Sequence, residues 1–376
     1  AGAAGGVSPG AAPAGESGGP AFPDARAWLL VAPLLVAGAA LRLHELGAGL
    51  WFDEIQTLVS YVRLPLGQIV ATFDSQNQHP LYSVLARASV VALGEGAAAL
   101  RLPAALFGIA SLGALFAFAS LITNRREALL ATALLAFSYH HVWFSQNARG
   151  YSGLLFWTLL GSAALLRLLA DPRARGWRWP VGYAAAMALA VYTHATAGLV
   201  VAAHFLLWAA LLLRARLAGR RDVPVRQPLV AFLLAGTFTL QLYALVLPQF
   251  LGTLLEPTMA GVDTAWKDPL WLLRETLRGL AAGVPGGMAA VALALGVALA
   301  GVLSYARQSA AVAGVLLLPG ALTAAALLSL EHNLWPRFFF FSAGFAVLVA
   351  VRGTFAVASL AGARARPFAT AALVLG

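Results

Sequence analysis

Apolar segments of about 20 residues recur along almost the whole sequence. Hydrophobic residues make up 60% of the 376 residues, charged residues make up 11%, and the mean hydropathy is +0.80. A helix needs about 20 mainly apolar residues to cross a bilayer, and lipid admits only helices and closed barrels as spanning structures. No soluble domain of ordinary make-up has this composition. The sequence therefore predicts an all-α polytopic membrane protein.

About eleven segments have the length and composition of a spanning helix. Residues 1–26 precede them, consist mostly of Gly, Ala, Pro and Ser, and are predicted to form a disordered cytoplasmic tail rather than a cleaved signal. Residues 27–376 form the predicted membrane domain, which ends inside an apolar stretch and is expected to be cut short or to continue. The predicted spans are 27–45, 99–122, 127–144, 151–170, 180–194, 196–214, 228–248, 287–306, 310–330, 336–358 and 367 onward.

The positions of the arginines determine the predicted orientation. If the short apolar segment 81–94 lies in the interface, one side of the membrane receives 16 of the 25 basic residues and five acidic ones, a net charge of +11, and the other side carries −1. The positive-inside rule places the basic side and the N-terminus in the cytoplasm. The excess of basic residues is then a topology signal, and no nucleic-acid partner is expected. The sixteen are Arg26, Arg125, Arg126, Arg167, Arg173, Arg175, Arg178, Arg214, Arg216, Arg220, Arg221, Arg226, Arg307, Arg352, Arg364 and Arg366.

Two adjacent carboxylates, Asp53 and Glu54, follow the first span and open a long external loop, residues 46–98. Desolvating a carboxylate is expensive, so such a pair at a membrane face either stays hydrated or has a function. Helical spacing of apolar residues predicts two amphipathic helices in this loop, lying on the outer leaflet. Their apolar stripes are Ile55, Leu58, Val59, Val62 and Leu66, and then Leu81, Val84, Leu85, Ala88 and Ala92.

Other polar turns reach the same predicted face. His79 precedes Pro80, a favoured first residue of a helix. The stretches 139–151, 192–194 and 331–337 join spans and carry the remaining histidines apart from His44 and His204. A second external loop, 249–286, is a candidate lid with Glu256, Asp263 and Asp268. This clustering is what a polar pocket at one membrane face would produce.

Four motifs in this order resemble a known group of enzymes. They are Trp51-Phe52-Asp53-Glu54, His79-Pro80-Leu81-Tyr82, Leu100-Arg101-Leu102-Pro103 and the stretch from Ser145 to Tyr151, Ser-Gln-Asn-Ala-Arg-Gly-Tyr. The chain is similar to the bacterial relatives of protein O-mannosyltransferases, which belong to the GT-C glycosyltransferases together with the aminoarabinose transferase. The similarity covers about residues 27–220, and beyond them only the Pro-Arg-aromatic turn at Arg337.

The resemblance implies a GT-C-like bundle with two interfacial helices in the first external loop, in a bacterial plasma membrane. It implies transfer of a sugar from a polyprenyl-phosphate donor to a lipid, glycan or protein acceptor outside the cytoplasm, with inversion at the anomeric carbon. The residue matching Asp53 is the general base in this family, and a carboxylate is chemically suited to accept the acceptor's proton. Glu54 is expected to orient Asp53 or the sugar.

The lipid phosphate that leaves in this reaction requires positive charge. Arg149, Arg337 and His79 are the candidates for binding it, with Tyr151 and Gln146 as neutral donors. His140, His141, His194 and His332 are further candidate pocket residues, although His140 and His141 fit the role of headgroup anchors equally well and His194 that of a structural hydrogen-bond partner.

The same residues are compatible with roles outside glycosyl transfer. Asp53 and Glu54 can be a hydrated helix cap, and a divalent metal bound by Asp53 with His79 or His140 is chemically reasonable. The rival functional classes are a transporter or lipid flippase and a non-catalytic GT-C-like subunit of a larger complex. A transporter predicts charges near the middle of spans and an internal repeat, whereas here the charges fall at the ends of spans and no repeat is visible.

Overall fold

A computed structural model describes residues 22–170, 176–255, 268–283 and 285–360, and within these ranges every regular element is helical. A π-helical stretch, Leu58–Val62, follows α2, and a 3₁₀ helix, Pro336–Ser342, precedes α16. The α-helices are α1 (Ala25–Leu43), α2 (Phe52–Thr57), α3 (Leu66–Val70), α4 (Pro80–Leu93), α5 (Ala97–Ile122), α6 (Arg125–Phe137), α7 (Tyr139–Ser145), α8 (Tyr151–Ala170), α9 (Arg178–Thr193), α10 (Ala197–Leu217), α11 (Arg226–Tyr243), α12 (Leu247–Leu255), α13 (Pro269–Gly283), α14 (Gly287–Gln308), α15 (Ala310–Ser329) and α16 (Ala343–Leu360).

Several of these helices begin where the local sequence supplies a cap. The side chains of Asp24, Asn124 and Ser309 accept hydrogen bonds from the first-turn amides of α1, α6 and α15. A cap of this kind satisfies an N–H group that has no partner inside the helix. Pro80 opens α4 and Pro336 opens the 3₁₀ helix, positions at which the missing N–H carries no penalty.

Helices α5 and α8 form the centre of the bundle. In each of them 61% of the most apolar window is buried by protein, against 22% in α1 and 11% in α14, which therefore lie at the periphery. At 1.5 Å per residue, the 26 residues of α5 extend roughly 39 Å. The beginnings of α5 and α8 therefore lie at one end of the bundle and their last residues, Ile122 and Ala170, at the other.

Seven of the described helices are long and apolar enough to cross a membrane, or eight if the bent pair α11 and α12 counts as one span, and the chain is a multi-pass membrane protein. Helices occupy ten of the predicted spans. The segment 127–144 is divided between α6 and α7, and the segment 336–358 between the 3₁₀ helix and α16. The segment from 367 onward lies outside the described residues. The count of about eleven spans stays a prediction.

The first loop contains helices as predicted, but the residues of each predicted apolar stripe are not all buried on one side. Leu58 and Val62 are buried, whereas Ile55, Val59 and Leu66 are exposed. The predicted single stripe is wrong because the regular helical spacing that it assumes is interrupted: residues 58–62 form a π-helical stretch, and Leu66 begins the separate helix α3 after Pro65.

In α4 the buried side is formed by Tyr82, Ala86 and Val90 instead of the predicted residues. Packing against α5 decides which side of this short helix is covered. The predicted stripe residues Leu81, Val84 and Leu85 are half-buried, and Ala88 and Ala92 are exposed. The position of both helices on the outer leaflet stays a prediction.

Two other predicted segments fall partly outside the described residues. Residues 22–26, assigned to the tail, contact the bundle, because the Phe22 ring stacks on Trp179 with a centroid distance of 5.5 Å. In the loop 249–286, α12 contacts the first loop: Gln249 Oε1 accepts from the Phe73 amide at 2.8 Å. Asp268 caps α13 through the Leu270 amide. Glu256 and Asp263 lie outside the described residues, and the lid stays a prediction.

Candidate active site

Asp53 lies in the first turn of α2 between two arginines from distant parts of the chain. Its Oδ2 atom is 3.3 Å from Arg337 Nη1 and 3.8 Å from Arg149 Nη1. The side chains of Asp53 and Arg337 are each 39% exposed, whereas that of Arg149 is 4% exposed. The group therefore combines one accessible carboxylate with two guanidinium groups and carries a net positive charge.

Arg149 precedes α8 in a turn that contacts the loop before α4. Nη1 donates to Asn77 Oδ1, and Nη2 is 3.5 Å from the Tyr151 hydroxyl, with the guanidinium 5.7 Å from the Tyr151 ring centre. The nearly complete burial of this charge is tolerable because several groups contact it. Arg149 is thus held in one orientation before any ligand binds.

His79, immediately before α4, is buried beside Arg149. Its Nδ1 accepts the Gly150 amide proton at 2.8 Å, so the proton of the neutral ring lies on Nε2. Nε2 is 3.2 Å from Arg149 Nη2, which places two N–H donors against each other. Burial, and then the charge of Arg149, holds the pKa of His79 well below its usual range. An anionic oxygen between the two donors would accept from both.

The turn that carries Arg149 requires glycine at position 150. A Cβ atom there would lie 2.7 Å from His79 Nδ1 and 2.8 Å from the Thr193 carbonyl oxygen. Because contacts this short force neighbouring atoms to move, only glycine lets the turn approach His79 closely enough for the hydrogen bond.

Glu54, next to Asp53, has a different environment, with no exposed side-chain area. Its carboxylate accepts from Arg101 Nε at 2.8 Å and Nη2 at 2.6 Å, from the Trp51 amide at 2.9 Å and from the Ala148 amide at 2.7 Å. With both oxygens committed to these contacts, Glu54 is a poor candidate for a base or a sugar ligand. It instead ties α2 to α5 and to the turn before Arg149, which fits the expectation that it orients Asp53.

Arg101 is the partner that the sequence did not assign. Its five N–H groups make five hydrogen bonds, two to Glu54 and three to the carbonyls of Leu46, Ala48 and Gly49. The signal was present, because an arginine inside the apolar helix α5 requires a buried counter-charge. Asn77, which binds Arg149, was missed as well, and a single asparagine in a polar loop gives no comparable signal.

Several of the predicted pocket residues are used elsewhere. The Gln146 amide donates to the His44 carbonyl at 2.6 Å and to the Leu41 carbonyl at 3.2 Å, so it caps the end of α1. His141 is buried between Arg42 and Ser111 inside the bundle. His140 is exposed beside Tyr139, as a headgroup anchor would be. Gln146 and His141 therefore lie away from Asp53, because helix packing sets the direction of their side chains, and His140 fits the anchor role that was predicted as its alternative.

His194 and Tyr151 lie beside His79 at the site, whereas His332 contacts α12. The His194 ring centre is 4.9 Å from that of His79 and 5.5 Å from that of Tyr151. Its Nδ1 is 2.8 Å from the Thr196 hydroxyl, and burial lowers the pKa of His194 to about 3. His332 Nε2 is 3.1 Å from the carbonyl of Leu254 in α12.

The donor set does not suit a metal well. Within the described ranges, no group of three or more His, Asp and Glu side chains could hold a metal ion. His79 uses Nδ1 for the Gly150 amide and turns Nε2 toward Arg149, and two guanidinium groups surround Asp53. Positive charge next to the candidate ligands opposes a cation and favours an anion.

Buried N–H donors without a protein acceptor support the same conclusion. Three of the buried N–H donors that make no hydrogen bond within the described part of the chain belong to this site: Arg149 Nε, Arg337 Nε and Asn77 Nδ2. Such groups are rare in folded proteins because an unsatisfied buried donor costs about 1–3 kcal/mol. The site is therefore rich in donors and suited to a group with several anionic oxygens.

The comparisons with known proteins agree with the expected resemblance. Residues 77–240 match the family described as dolichyl-phosphate-mannose-protein mannosyltransferase. The matched stretch includes His79, Arg101, Arg149 and Tyr151, but not Asp53 or Arg337. No protein of curated function matches this chain in sequence.

Solved structures of similar fold are ArnT from Cupriavidus metallidurans bound to undecaprenyl phosphate, and the oligosaccharyltransferase AglB from Archaeoglobus fulgidus in complex with an inhibitory peptide and a dolichol-phosphate. The first has 16% identity and a TM-score of 0.53 over 90% of this chain and 64% of its own. The second has 15% identity and a TM-score of 0.54 over 92% of this chain and 54% of its own. Both are GT-C glycosyltransferases, so this chain has the GT-C fold and resembles the mannosyltransferase and aminoarabinose transferase group. It spans between half and two thirds of the length of these two proteins.

Proposed function

We propose that this protein is a membrane glycosyltransferase that moves a sugar from a polyprenyl-phosphate donor to an acceptor hydroxyl, with Asp53 as the general base. The observation that carries the proposal is the half-exposed carboxylate of Asp53 between Arg149 and Arg337. One group can accept a proton and the other two can bind an anionic leaving group.

The reaction balances with these groups alone. The acceptor oxygen forms a bond to the anomeric carbon, its proton passes to Asp53, and the bond between the anomeric carbon and the phosphate oxygen breaks. Attack opposite to the leaving group inverts the anomeric centre. A positioned general base contributes typically about 10²–10⁴-fold to such a step.

The polyprenyl phosphate leaves as an anion and needs no strong acid. Arg149 and Arg337 offer planar donor groups that match phosphate oxygens in two places. His79 Nε2–H and the Tyr151 hydroxyl lie around Arg149 and can add neutral donors. ArnT bound to undecaprenyl phosphate and AglB bound to a dolichol-phosphate are the relatives that make a polyprenyl carrier the proposed donor.

The acceptor is a lipid, glycan or protein on the extracytoplasmic face. The proposed side rests on the charge distribution, which places the basic loops opposite to Asp53. The aminoarabinose class of donor is less expected, because Gln78 and His79 stand where the aminoarabinose transferase carries Glu and Lys.

The test is sugar transfer by the purified full chain in lipid vesicles, with polyprenyl-phosphate-linked sugars as donors and product formation measured by mass spectrometry. We expect Asp53→Asn to lower the rate by about 10²–10⁴-fold and to keep binding of polyprenyl phosphate. Arg149→Gln should lose both transfer and binding. An Asp53→Asn variant with an unchanged rate would eliminate the base assignment.

Glu95→Gln is the matched control, because Glu95 also pairs with an arginine, Arg63, but lies exposed. It should keep full transfer. If the unmodified protein transfers no sugar from any polyprenyl-phosphate donor and binds no polyprenyl phosphate, the proposal fails and a transporter or a non-catalytic subunit is favoured instead.

A further inference from the structure

A large basic cleft lies at the end of the bundle opposite to Asp53. It has a volume of about 1570 Å³ and is bordered by the last turns of α5, α8 and α14 and the first turns of α1, α6 and α15. Because α5 separates Arg101 from Ile122 by 21 residues, this cleft is roughly 30 Å from the candidate active site. It is therefore a separate feature at the other membrane face.

Four arginines line the cleft: Arg125, Arg167, Arg307 and Arg352. Arg125 pairs with Asp24 at 3.5 Å, and Arg352 pairs with Glu127 at 2.8 Å. With Asp24 in the lining and Glu127 beside Arg352 both counted, two positive charges remain in excess.

The individual arginines differ in their surroundings. Arg307, in the last turn of α14, is exposed and, within the described part of the chain, has no carboxylate partner. Arg167 contacts the rings of Phe22 and Trp179 at 5.4 and 5.7 Å. Arg307 is therefore the cationic group of the cleft that is most open to an anion.

The stretches that adjoin these helices in the sequence do not supply an excess of negative charge. The stretches 1–21, 171–175 and 361–376 contain two acidic and four basic residues in total. The excess of positive charge is therefore available to an anion from outside the chain.

The rest of the lining is apolar and indicates what kind of anion this is. Phe116, Leu121, Leu166 and Leu169 line the cleft together with the arginines. The volume exceeds the ~300–1,000 Å³ of ordinary small-molecule pockets. The two helices that border it on the outside, α1 and α14, are also the ones least covered by protein. A group with an anionic head and long apolar chains matches all three features.

We propose that this cleft binds an anionic phospholipid, with the phosphate of the headgroup at Arg307 and Arg125 and the acyl chains along the exposed sides of α1 and α14. Basic pockets between helices at a membrane face are suited to anionic headgroups. The lipid would lie beside the point where α14 meets the end of α5, at the hydrogen bond from Gln308 Nε2 to the Ile122 carbonyl at 2.8 Å.

The experiment measures lipid binding to the full chain in detergent by native mass spectrometry, with phosphatidylglycerol and phosphatidylcholine of the same acyl chains. We expect the wild type to prefer phosphatidylglycerol and to gain thermal stability from it. Arg307→Gln should reduce the preference by about fivefold, the effect of one arginine near an anionic lipid. Arg125→Gln should reduce it less, because Asp24 already compensates part of that charge.

Arg216→Gln is the matched control, since Arg216 is an exposed arginine in the last turn of α10 and does not line the cleft. Equal lipid preference in Arg307→Gln and Arg216→Gln would overturn the proposal, as would a wild type that binds both lipids equally. Inorganic phosphate is the third arm: if it stabilises the protein as much as phosphatidylglycerol does, the cleft is a site for a free anion and the lipid assignment fails.

Discussion

Asp53 and Glu54 are adjacent in sequence and carry the same charge, yet the fold treats them in opposite ways. Glu54 is fully buried and accepts four hydrogen bonds, all between 2.6 and 2.9 Å. Asp53 is 39% exposed, and its contacts to Arg337 and Arg149 are 3.3 and 3.8 Å. Glu54 holds α2, α5 and the turn before Arg149 together, whereas Asp53 is left accessible at a donor-rich site. Asp53 can remain accessible because Glu54 fixes the backbone that carries both residues.

The largest effect is expected from removing one partner of the buried ion pair between Glu54 and Arg101. Glu54→Ala leaves Arg101 buried without its counter-charge, which costs about 3–5 kcal/mol. We expect a marked fall in the thermal midpoint of the purified protein, together with loss of transfer. Glu54→Leu combined with Arg101→Met removes both charges and should recover much of the stability but not the activity. A Glu54→Ala variant as stable as the wild type would contradict the structural role of Glu54.

The second-largest effect is expected at Arg149, one of the two arginines that contact Asp53. Arg149→Lys keeps the charge but loses the planar donor group that contacts Asn77, His79 and Tyr151. Loss of one hydrogen bond to a charged group, worth about 1.5–3 kcal/mol, should raise the KM for the polyprenyl-phosphate donor by about 10–100-fold. Steady-state kinetics measure this, and a KM unchanged by the substitution would argue against phosphate binding by Arg149.

The histidines beside Arg149 make stability depend on pH. Burial lowers the pKa of His194 from 6.5 to about 3, so the folded protein holds fewer protons than the unfolded chain between these values. The contribution of His194 to the free energy of unfolding is therefore fully present above pH 6.5. It is lost as the pH decreases toward 3, by at most about 1.4 kcal/mol per pH unit. His194→Gln should flatten the decline of the thermal midpoint between pH 6.5 and 5. Parallel curves for the variant and the wild type would contradict this.

The smallest effect is expected at the exposed pair of Arg63 and Glu95 in the same loop. Their atoms approach to 2.6 Å, closer than Asp53 approaches either arginine, but both side chains are about half exposed. Solvent screens an exposed ion pair, which therefore contributes little to stability. Arg63→Gln should therefore change the thermal midpoint by only a few degrees and leave transfer intact. A large loss would mean that distance, rather than burial, distinguishes the carboxylates of this loop.

The sequence predicted much of the fold because the relevant signals are local. An apolar run identifies a helix without knowledge of its neighbours, and helices occupy the predicted segments throughout the described residues. The order of charges along the chain also brought Asp53, His79, Arg149 and Arg337 to one face. It could not assign Gln146 and His141, whose side chains point to α1 and into the bundle.

The sequence alone therefore determined that the chain is a multi-pass helical membrane protein and which turns carry its polar residues. Hydropathy and charge act over a few residues and survive without a tertiary structure. Only the tertiary structure decided which of the two carboxylates is committed to the framework, because Arg101 lies 47 residues from Glu54 along the chain and meets it only when α5 packs beside α2. Burial and partner geometry, which give the same side chain different chemistry, are properties of that packing.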